Sequence, residues 1–167
     1  MRHFAPPEFE GVKAMKKYYL AYGSNLNVRQ MRFRCPNAVP VGTATLDGYR
    51  LLFKGSKTGA YLTVERHRGS TVPLGVWEVD ETDEKNLDRY EGYPAFYYKK
   101  SVKLNVRSLY SDREQILDAF LYIMHEERHL GLPSAQYVSV CRQGYTDFGF
   151  NEKFLRRALA DSMGDRK

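Results

Sequence analysis

A short stretch near the N-terminus combines residue types that could hold an anion. The apolar run Tyr19-Leu20-Ala21 leads into Tyr22-Gly23-Ser24-Asn25-Leu26, which carries small and polar side chains. This pattern predicts a strand, a tight turn and then a helix. Gly23 can adopt a positive φ or let another molecule approach the backbone, and the first amides of a helix lack intrahelical acceptors. The turn is therefore a candidate site for a carboxylate, a phosphate or a carbonyl oxygen.

Glu91 is the candidate group for proton transfer. The sequence predicts a short helix that Thr82 caps and that ends at Glu91, and Gly92 supplies the left-handed exit residue. A carboxylate at the negative end of a helix dipole is harder to ionise, which raises its pKa and suits a general base. Position alone favours the simpler interpretation that Glu91 ends a surface helix, and Asp88, one turn earlier, has the same ambiguity.

The first half of the chain must supply a sheet and a helix around the turn. Asn27 stands three residues before Gln30, the spacing of a capping box, and predicts a helix that ends near residues 35–37. Trp77 lies in an alternating apolar pattern and is expected in the core. An antiparallel meander is predicted from four short β-rich runs separated by glycine-containing turns, at residues 41–46, 49–53, 61–65 and 72–79.

The second half of the chain predicts two more strands and a helical tail. Residues 98–106 alternate in polarity, and residues 116–124 form a nearly continuous apolar run, so the two are expected to pair through a turn at 110–113. The tail from Pro133 onward is predicted to be helical, with breaks at Gly144 and Gly149.

Composition indicates an ordinary globular protein. The chain has 167 residues, of which 43% are hydrophobic and 28% charged, and no apolar run reaches the length of a membrane span. We expect one domain over residues 15–167 and a loose arm over residues 1–14, which lack the apolar segment of a signal peptide. The two cysteines, Cys35 and Cys141, show no metal-binding or disulfide spacing, which favours a reduced, cytoplasmic protein.

The net charge of +6 does not by itself indicate a nucleic-acid partner. Basic residues are scattered in pairs such as Lys16-Lys17 and Arg156-Arg157, and they form no stripe along the sequence. Most of the 13 tyrosines alternate with apolar residues in predicted strands, so we expect them in the core or lining a cavity. We expect neither a nucleic-acid partner nor a membrane partner.

One motif points to a competing chemistry. His125-Glu126-Glu127-Arg128-His129 satisfies the H-E-x-x-H pattern of zinc hydrolases. That chemistry requires both histidines on one face of a substantial helix, with a further protein ligand. The motif follows a strand-like apolar run and reaches Gly131 and Pro133 almost at once, so a polar loop is the better interpretation. We therefore expect no metal site, and a zinc hydrolase is the weaker alternative.

Two signatures together resemble the γ-glutamylcyclotransferase family, which includes AIG2-like proteins. The first is the Tyr22 to Leu26 turn, and the second is the segment Leu87-Asp88-Arg89-Tyr90-Glu91-Gly92-Tyr93. A third stretch, Pro133 to Tyr137 with Cys141, Gly144 and Gly149 behind it, is similar to the C-terminal segment of that family. The resemblance covers about Tyr18 to Leu159.

The resemblance implies a fold and a site. The fold would be of the α+β class, with a small curved or barrel-like mixed sheet, short flanking helices and a cavity at one end. The loop from Tyr19 to Ser24 would bind a γ-glutamyl group mainly through its backbone, and Glu91 would be the acid and base. The expected substrate-binding residues are Tyr19, Leu20, Ala21, Tyr22, Gly23, Ser24, Asn25, Tyr98, Tyr122 and Tyr137.

The implied reaction needs few protein groups. A γ-glutamyl amine carries its own nucleophile, because the α-amino group can attack the γ-carbonyl, close the lactam 5-oxoproline and expel the attached amine. No cofactor, metal or protein nucleophile is required, and no recognisable motif places a base beside Ser24. The expected partner is a small γ-glutamyl molecule, and the oligomeric state, including a homodimer, stays open. The alternative from another class is a non-catalytic member that binds a small anion or regulates a partner.

Overall fold

Five strands form the frame of the protein. The structure, a computed structural model, describes residues 16–56 and 59–164, so the arm predicted over residues 1–14 lies outside the described residues. The elements in chain order are β1 Lys17–Ala21, a 3-10 turn Ser24–Leu26, α1 Val28–Arg34, β2 Val39–Ser56, β3 Gly59–Val79, α2 Glu81–Glu91, β4 Tyr97–Ser108, β5 Glu114–Met124, β6 His129–Leu130, α3 Ala135–Phe148 and α4 Lys153–Gly164.

The sheet closes on itself as a barrel. Its strands lie in the order β3-β1-β5-β4-β2, and β2 also pairs with β3, so neither strand is left as an open edge. β1 is antiparallel to β3 but parallel to β5, which makes the sheet mixed. The short strand β6 adds to the end of β2. These observations confirm the predicted α+β class with a barrel-like mixed sheet and short helices.

The barrel strands and the helices packed against them share one hydrophobic core. Trp77 is 1% exposed and packs edge-on against Phe148 of α3, as expected for a core tryptophan. Apolar residues from all five barrel strands are buried in this core, among them Leu20, Phe53, Leu74, Val106 and Leu121. The prediction of two paired strands after α2 is also confirmed, because β4 and β5 form an antiparallel pair.

The predicted meander of four short runs is wrong in its number of strands. β2 and β3 are single long strands that pair antiparallel along most of their length. The interruption lies at Gly48, whose φ is 77°, where Asp47 pairs with Thr71 but Tyr49 pairs with Arg66. Extra residues on β3 are accommodated there as a bulge, so the glycine marks an irregularity within a strand and not a turn between strands.

The caps of α1 and α2 fix the ends of the segments that carry the candidate site. Asn27 caps α1 as predicted, since its side chain accepts a hydrogen bond from the Gln30 amide at 3.0 Å. The predicted cap of α2 is wrong by two residues: Asp80, and not Thr82, forms a reciprocal capping box with Asp83. Gly92 ends the helix in the left-handed conformation, with φ of 63°, as the sequence predicts.

Gly144 does not break the C-terminal helix as predicted. α3 continues through it, and the break comes only at Gly149, whose φ is 73°. The reason for a glycine at position 144 is close packing, because a Cβ there would lie 2.6 Å from the Asn27 backbone nitrogen and 2.7 Å from Leu26 Cβ. α3 thus presses directly against the turn that follows β1.

We predict that Gly144→Ala destabilises the protein, although alanine favours a helix by about 1 kcal/mol over glycine. The added methyl group must displace backbone, and such overpacking costs about 1–3 kcal/mol. Chemical denaturation should show a lower free energy of unfolding. The matched control is Gly59→Ala, because a Cβ at Gly59 would meet nothing within 4 Å. Equal or higher stability of Gly144→Ala would contradict the close packing of α3 against the turn.

Candidate active site

A cavity of about 340 Å³ opens at one end of the barrel. β1 and β5 end there, whereas β3 and β4 begin there, so four strands deliver side chains to the same place. Its volume suits a small metabolite. Its lining consists of residues from the turn, the end of α2, strands and α3: Tyr19, Tyr22, Gly23, Ser24, Asn25, Tyr61, Leu62, Arg89, Tyr90, Glu91, Gly92, Phe96, Tyr97, Tyr122 and Tyr137.

The turn after β1 forms one wall of the cavity. Its internal hydrogen bonds run from the Leu26 amide to the Gly23 carbonyl and from the Asn27 amide to the Ser24 carbonyl, both at 3.0 Å. The amides of Ser24 and Asn25 precede these bonds and have no intrahelical acceptor. Gly23 has a φ of −128°, so its role is close approach: a Cβ there would lie 3.3 Å from the Tyr137 hydroxyl.

Glu91 is placed at the cavity by the end of α2. Gly92 and Tyr93 close the helix, since the Tyr93 amide donates to the Asp88 carbonyl at 2.9 Å. The Glu91 side chain is half-buried, and its Oε1 accepts a hydrogen bond from Asn25 Nδ2 at 3.3 Å. The interpretation of Glu91 as a surface helix end is therefore wrong, because the loss of water and the contact with the turn place it inside the site.

Burial sets the acidity of Glu91. Removal from water disfavours the charged carboxylate and raises its pKa from 4.5 to about 7, while the positive charge of Arg34 acts in the opposite direction. The sequence predicted a raised pKa from the helix dipole, but desolvation is the main cause. A carboxyl group with a pKa near neutrality exists in both protonation states at physiological pH, as a group that accepts and returns a proton must.

Asp88 has a different role from Glu91. Its Oδ1 accepts a hydrogen bond from the Tyr122 hydroxyl at 2.6 Å and pairs with Lys99 at 2.7 Å. It is absent from the residues that line the cavity. The ambiguity between the two carboxylates is resolved by these contacts, which make Asp88 a support for Tyr122 and leave Glu91 as the carboxylate that faces the cavity.

Buried phenols form the cage around Glu91. The Tyr22 hydroxyl donates to the Tyr122 carbonyl at 2.6 Å, and the Tyr97 hydroxyl donates to the Leu62 carbonyl at 2.9 Å. Burial raises the pKa of each phenol above its usual value, so all of them are neutral at physiological pH. The phenols concerned are Tyr19, Tyr22, Tyr97, Tyr122 and Tyr137.

The family of the chain follows from comparison with known proteins. The family model described as gamma-glutamyl cyclotransferase, AIG2-like, matches residues 19–139, which is more than half of the chain. The chain belongs to this family. A gamma-glutamylcyclotransferase of Bos taurus is 33% identical over 156 residues, which cover 89% of this chain and 80% of that protein. One of Mus musculus is 27% identical over 157 residues, with the same shares covered.

The fold of this cyclotransferase family member agrees with a solved structure. A structure of a gamma-glutamyl cyclotransferase superposes with a TM-score of 0.68 at 23% identity, covering 87% of this chain and 88% of that one. The similarity confirms the γ-glutamylcyclotransferase-like fold. Among the helices of the described residues, none has the length and apolarity needed to cross a membrane.

The structure gathers most of the residues that the resemblance assigned to the site, with three exceptions. Leu20 and Ala21 are buried in β1 and do not line the cavity. The expectation that Tyr98 lines it is wrong: the Tyr98 hydroxyl donates to the Glu126 carboxylate outside it. Neighbours on a strand point to opposite faces, so the residue before it, Tyr97, occupies the cavity instead.

The lining also includes residues beyond those that the resemblance assigned to the site. Tyr97 lies on the cavity side of β4, because Lys99 pairs with Tyr122 and Tyr97 lies two residues from Lys99 on the same face. Phe96 also lines the cavity, whereas Tyr93 packs edge-on against the Tyr122 ring without being part of the lining. Tyr61, Leu62, Arg89 and Tyr90 line the cavity and were not singled out as site residues, although Arg89 and Tyr90 belong to the segment around Glu91 that carries the resemblance.

The H-E-x-x-H segment does not have the geometry of a zinc hydrolase. His125 follows β5 in a loop, and His129 begins β6, so the two histidines do not share a helix face. His125 Nε2 lies 2.8 Å from the Pro94 carbonyl oxygen, and the Glu126 carbonyl accepts from Lys54. Within residues 16–56 and 59–164, no three His, Cys, Asp or Glu side chains are grouped to hold a metal.

We predict that Glu91→Gln changes how stability depends on pH. The folded state keeps a proton on Glu91 up to about pH 7, whereas the unfolded state loses it near 4.5. Ionisation of Glu91 therefore lowers the stability of the wild type as pH rises through this window, and the cost is fully present above pH 7. Glutamine removes that cost, so the melting temperature of Glu91→Gln minus that of the wild type should increase from pH 5 to pH 8.

The matched control is Glu81→Gln, at the other end of α2. Its side chain is 85% exposed, so the variant removes a carboxylate from the same helix without removing a buried one. A melting-temperature difference for Glu91→Gln that stayed constant across the pH range, or followed that of Glu81→Gln, would show that Glu91 is not desolvated in the folded protein.

Proposed function

We propose that this protein is a γ-glutamylcyclotransferase that cleaves γ-glutamyl-linked amines or amino acids and releases 5-oxoproline. The observation that carries the proposal is the half-buried Glu91, which faces the cavity and has a pKa of about 7. The family of the chain and relatives named gamma-glutamylcyclotransferase support the same reaction class.

The reaction is an intramolecular acyl transfer. The α-amino nitrogen of the γ-glutamyl group attacks the γ-carbonyl carbon and forms the C–N bond of the lactam, while the bond from that carbon to the leaving nitrogen breaks. One proton must leave the α-ammonium before attack, and one must reach the leaving nitrogen. The protein therefore has to hold the folded conformer of the substrate, stabilise the oxyanion and move protons.

Glu91 would perform both proton transfers. Its carboxylate form takes the proton from the α-ammonium, and the neutral acid returns one to the leaving amine. Because the base form must be present before attack, kcat/KM should rise with pH and level off above about pH 7. When the pKa lies close to the working pH, enough of the carboxylate is present to accept a proton. The neutral acid that it becomes is still strong enough to return one.

The turn would bind the anionic or carbonyl part of the substrate. The amides near Gly23 and Ser24 lie in the wall of the cavity next to Glu91, where they could donate to the α-carboxylate or to the reacting oxygen. Ser24 is not placed as a nucleophile. Its Oγ lies 3.1 Å from the Tyr90 hydroxyl, a neighbour that is a poor base, so it lacks the activating partner that a catalytic serine requires.

The leaving amine would lie against an aromatic wall. Tyr61 is 44% exposed and packs edge-on against both Phe96 and Tyr137, so these rings form a continuous apolar surface at the cavity. Arg128 lies over the Phe96 ring, with its guanidinium carbon 4.6 Å from the ring centroid. The wall can contact the aliphatic part of an amine or amino acid side chain beyond the scissile bond.

Glu91→Gln is predicted to lower kcat by about 10²- to 10⁴-fold, because it removes the acid and base while keeping the size of the side chain. The assay measures 5-oxoproline released from a panel of γ-glutamyl amino acids and γ-glutamyl amines. Glu81→Gln should keep wild-type turnover, and a chelator should not change it. Full turnover by Glu91→Gln would overturn the mechanism, and saturable binding without product from any panel member would indicate a non-catalytic protein.

Phe96→Ala is predicted to raise KM selectively. Substrates with bulky apolar leaving amines should lose about 1–3 kcal/mol of transition-state binding. The substrate whose leaving amine is methylamine should lose little, because methylamine does not reach the wall. The measurement is kcat/KM for a series of γ-glutamyl amines of increasing size. Tyr110→Ala, at a 72% exposed aromatic remote from the cavity lining, is the control. An equal loss across the series would exclude Phe96 from leaving-group recognition.

A further inference from the structure

We infer that Arg34 is a positioning residue for Glu91 and acts through the side-chain amide of Asn25. This role rests on the proposed function of Glu91 as acid and base. Arg34 is the last residue of α1 and is not among the residues that line the cavity, so it would not touch the substrate.

The Arg34 guanidinium is held by three contacts. Nη1 donates to Asn25 Oδ1, and Nη2 donates to Gln30 Oε1 at 3.2 Å. The guanidinium carbon lies 3.3 Å from the centroid of the Tyr90 ring. Gln30 precedes Arg34 by one helical turn, and Tyr90 is the neighbour of Glu91 on α2. These contacts fix both the position and the plane of the guanidinium between the turn, α1 and α2.

The guanidinium decides which way the Asn25 amide points. Arginine carries only donors, so the Asn25 atom that it contacts must be the carbonyl oxygen. The amide nitrogen then faces the other way and donates to the Tyr19 hydroxyl at 2.9 Å and to Glu91 Oε1 at 3.3 Å. Without Arg34, the amide could rotate by half a turn and present its oxygen to the Glu91 carboxylate, which would repel it.

The orientation of Asn25 also decides which oxygen of Glu91 carries the proton. Because Asn25 Nδ2 donates to Oε1, Oε1 acts as an acceptor whether Glu91 is charged or neutral. The acidic proton of neutral Glu91 then sits on Oε2. A fixed assignment of the two oxygens means that each proton transfer starts from one geometry, without a rotation of the carboxyl group between the two steps.

Arg34 also contributes charge to the site. The titratable groups that face Glu91 from the neighbouring elements are otherwise neutral phenols, and Arg89 lies at the cavity on α2 itself. Burial disfavours the Glu91 carboxylate, and the Arg34 cation favours it. The phenols concerned are Tyr19 of β1, Tyr22 of the turn, Tyr97 of β4, Tyr122 of β5 and Tyr137 of α3.

Two substitutions separate the orienting effect of Arg34 from its charge. Arg34→Gln removes both, so the acidic limb of kcat/KM should move to higher pH by about 1 unit. The plateau kcat should fall about tenfold or more, with KM within about twofold, because a misoriented base costs rate more than binding. Arg34→Lys keeps the charge but not the planar fork, so the limb should stay in place while kcat falls.

The matched control is Arg32→Gln, which removes the same charge from an exposed position of the same helix. It should leave the limb, kcat and KM unchanged. The midpoint of the Glu91 titration is measured in parallel by carbon NMR of labelled glutamate side chains, and it should follow the limb. If circular dichroism shows that Arg34→Gln does not fold, Arg34→Lys is the test. A lower kcat with the acidic limb of kcat/KM at the wild-type pH supports the inference, and a wild-type kcat overturns it.

The outcomes distinguish this inference from the proposed function. If the wild type releases 5-oxoproline and the Arg34 variants behave like Arg32→Gln, the role of Arg34 is overturned and the function stands. If the wild type turns over no panel substrate, the function fails, and the NMR titration alone decides whether Arg34 sets the ionisation of Glu91. An unchanged Glu91 midpoint in folded Arg34→Gln overturns the inference in either case.

Discussion

The contact on which the site depends is the hydrogen bond between the Asn25 amide and the Glu91 carboxylate. It joins the turn after β1 to the end of α2, two segments far apart in the chain. Burial raises the pKa of the carboxyl group, because the charged form loses contact with water. The Asn25 amide partly replaces the hydrogen bonds that water would make. Both segments line the cavity. The hydrogen bond that joins them therefore also sets the surroundings of the carboxyl group that faces the cavity.

The helix α2, which carries the half-buried Glu91, is anchored to the barrel by other side chains. Lys99 of β4 pairs with Glu84 at 2.8 Å and with Asp88 at 2.7 Å, and Lys17 of β1 pairs with the other oxygen of Glu84. The Tyr122 hydroxyl adds a bond to Asp88. These ion pairs and the Tyr122 hydrogen bond tie two turns of the helix to three barrel strands. Removing a carboxylate from water costs free energy, and this network holds the helix in place against that cost.

Local sequence signals were enough to predict the parts of the site, but not their assembly. Asn27 and Gly92 act through their own backbone neighbours, so their roles as cap and exit residue were predictable. Tyr97 and Arg34 depend on contacts between distant segments. The choice between Tyr97 and its neighbour follows from the β4–β5 register, and the importance of Arg34 follows from α1 meeting α2. Single-sequence patterns contain neither relation.

The acidity of Glu91 shows why the distant contacts matter more than the local pattern. The helix terminus that suggested a raised pKa is a small influence, worth typically about 0.3–1 kcal/mol. Burial is the larger effect, and on its own it would raise the pKa of the carboxyl group further and leave less of the base form at physiological pH. The nearby Arg34 cation opposes that shift, so the value near 7 is the balance of two tertiary effects of opposite sign. Both effects arise from tertiary contacts, so the local pattern around a helix-end glutamate cannot give this acidity by itself.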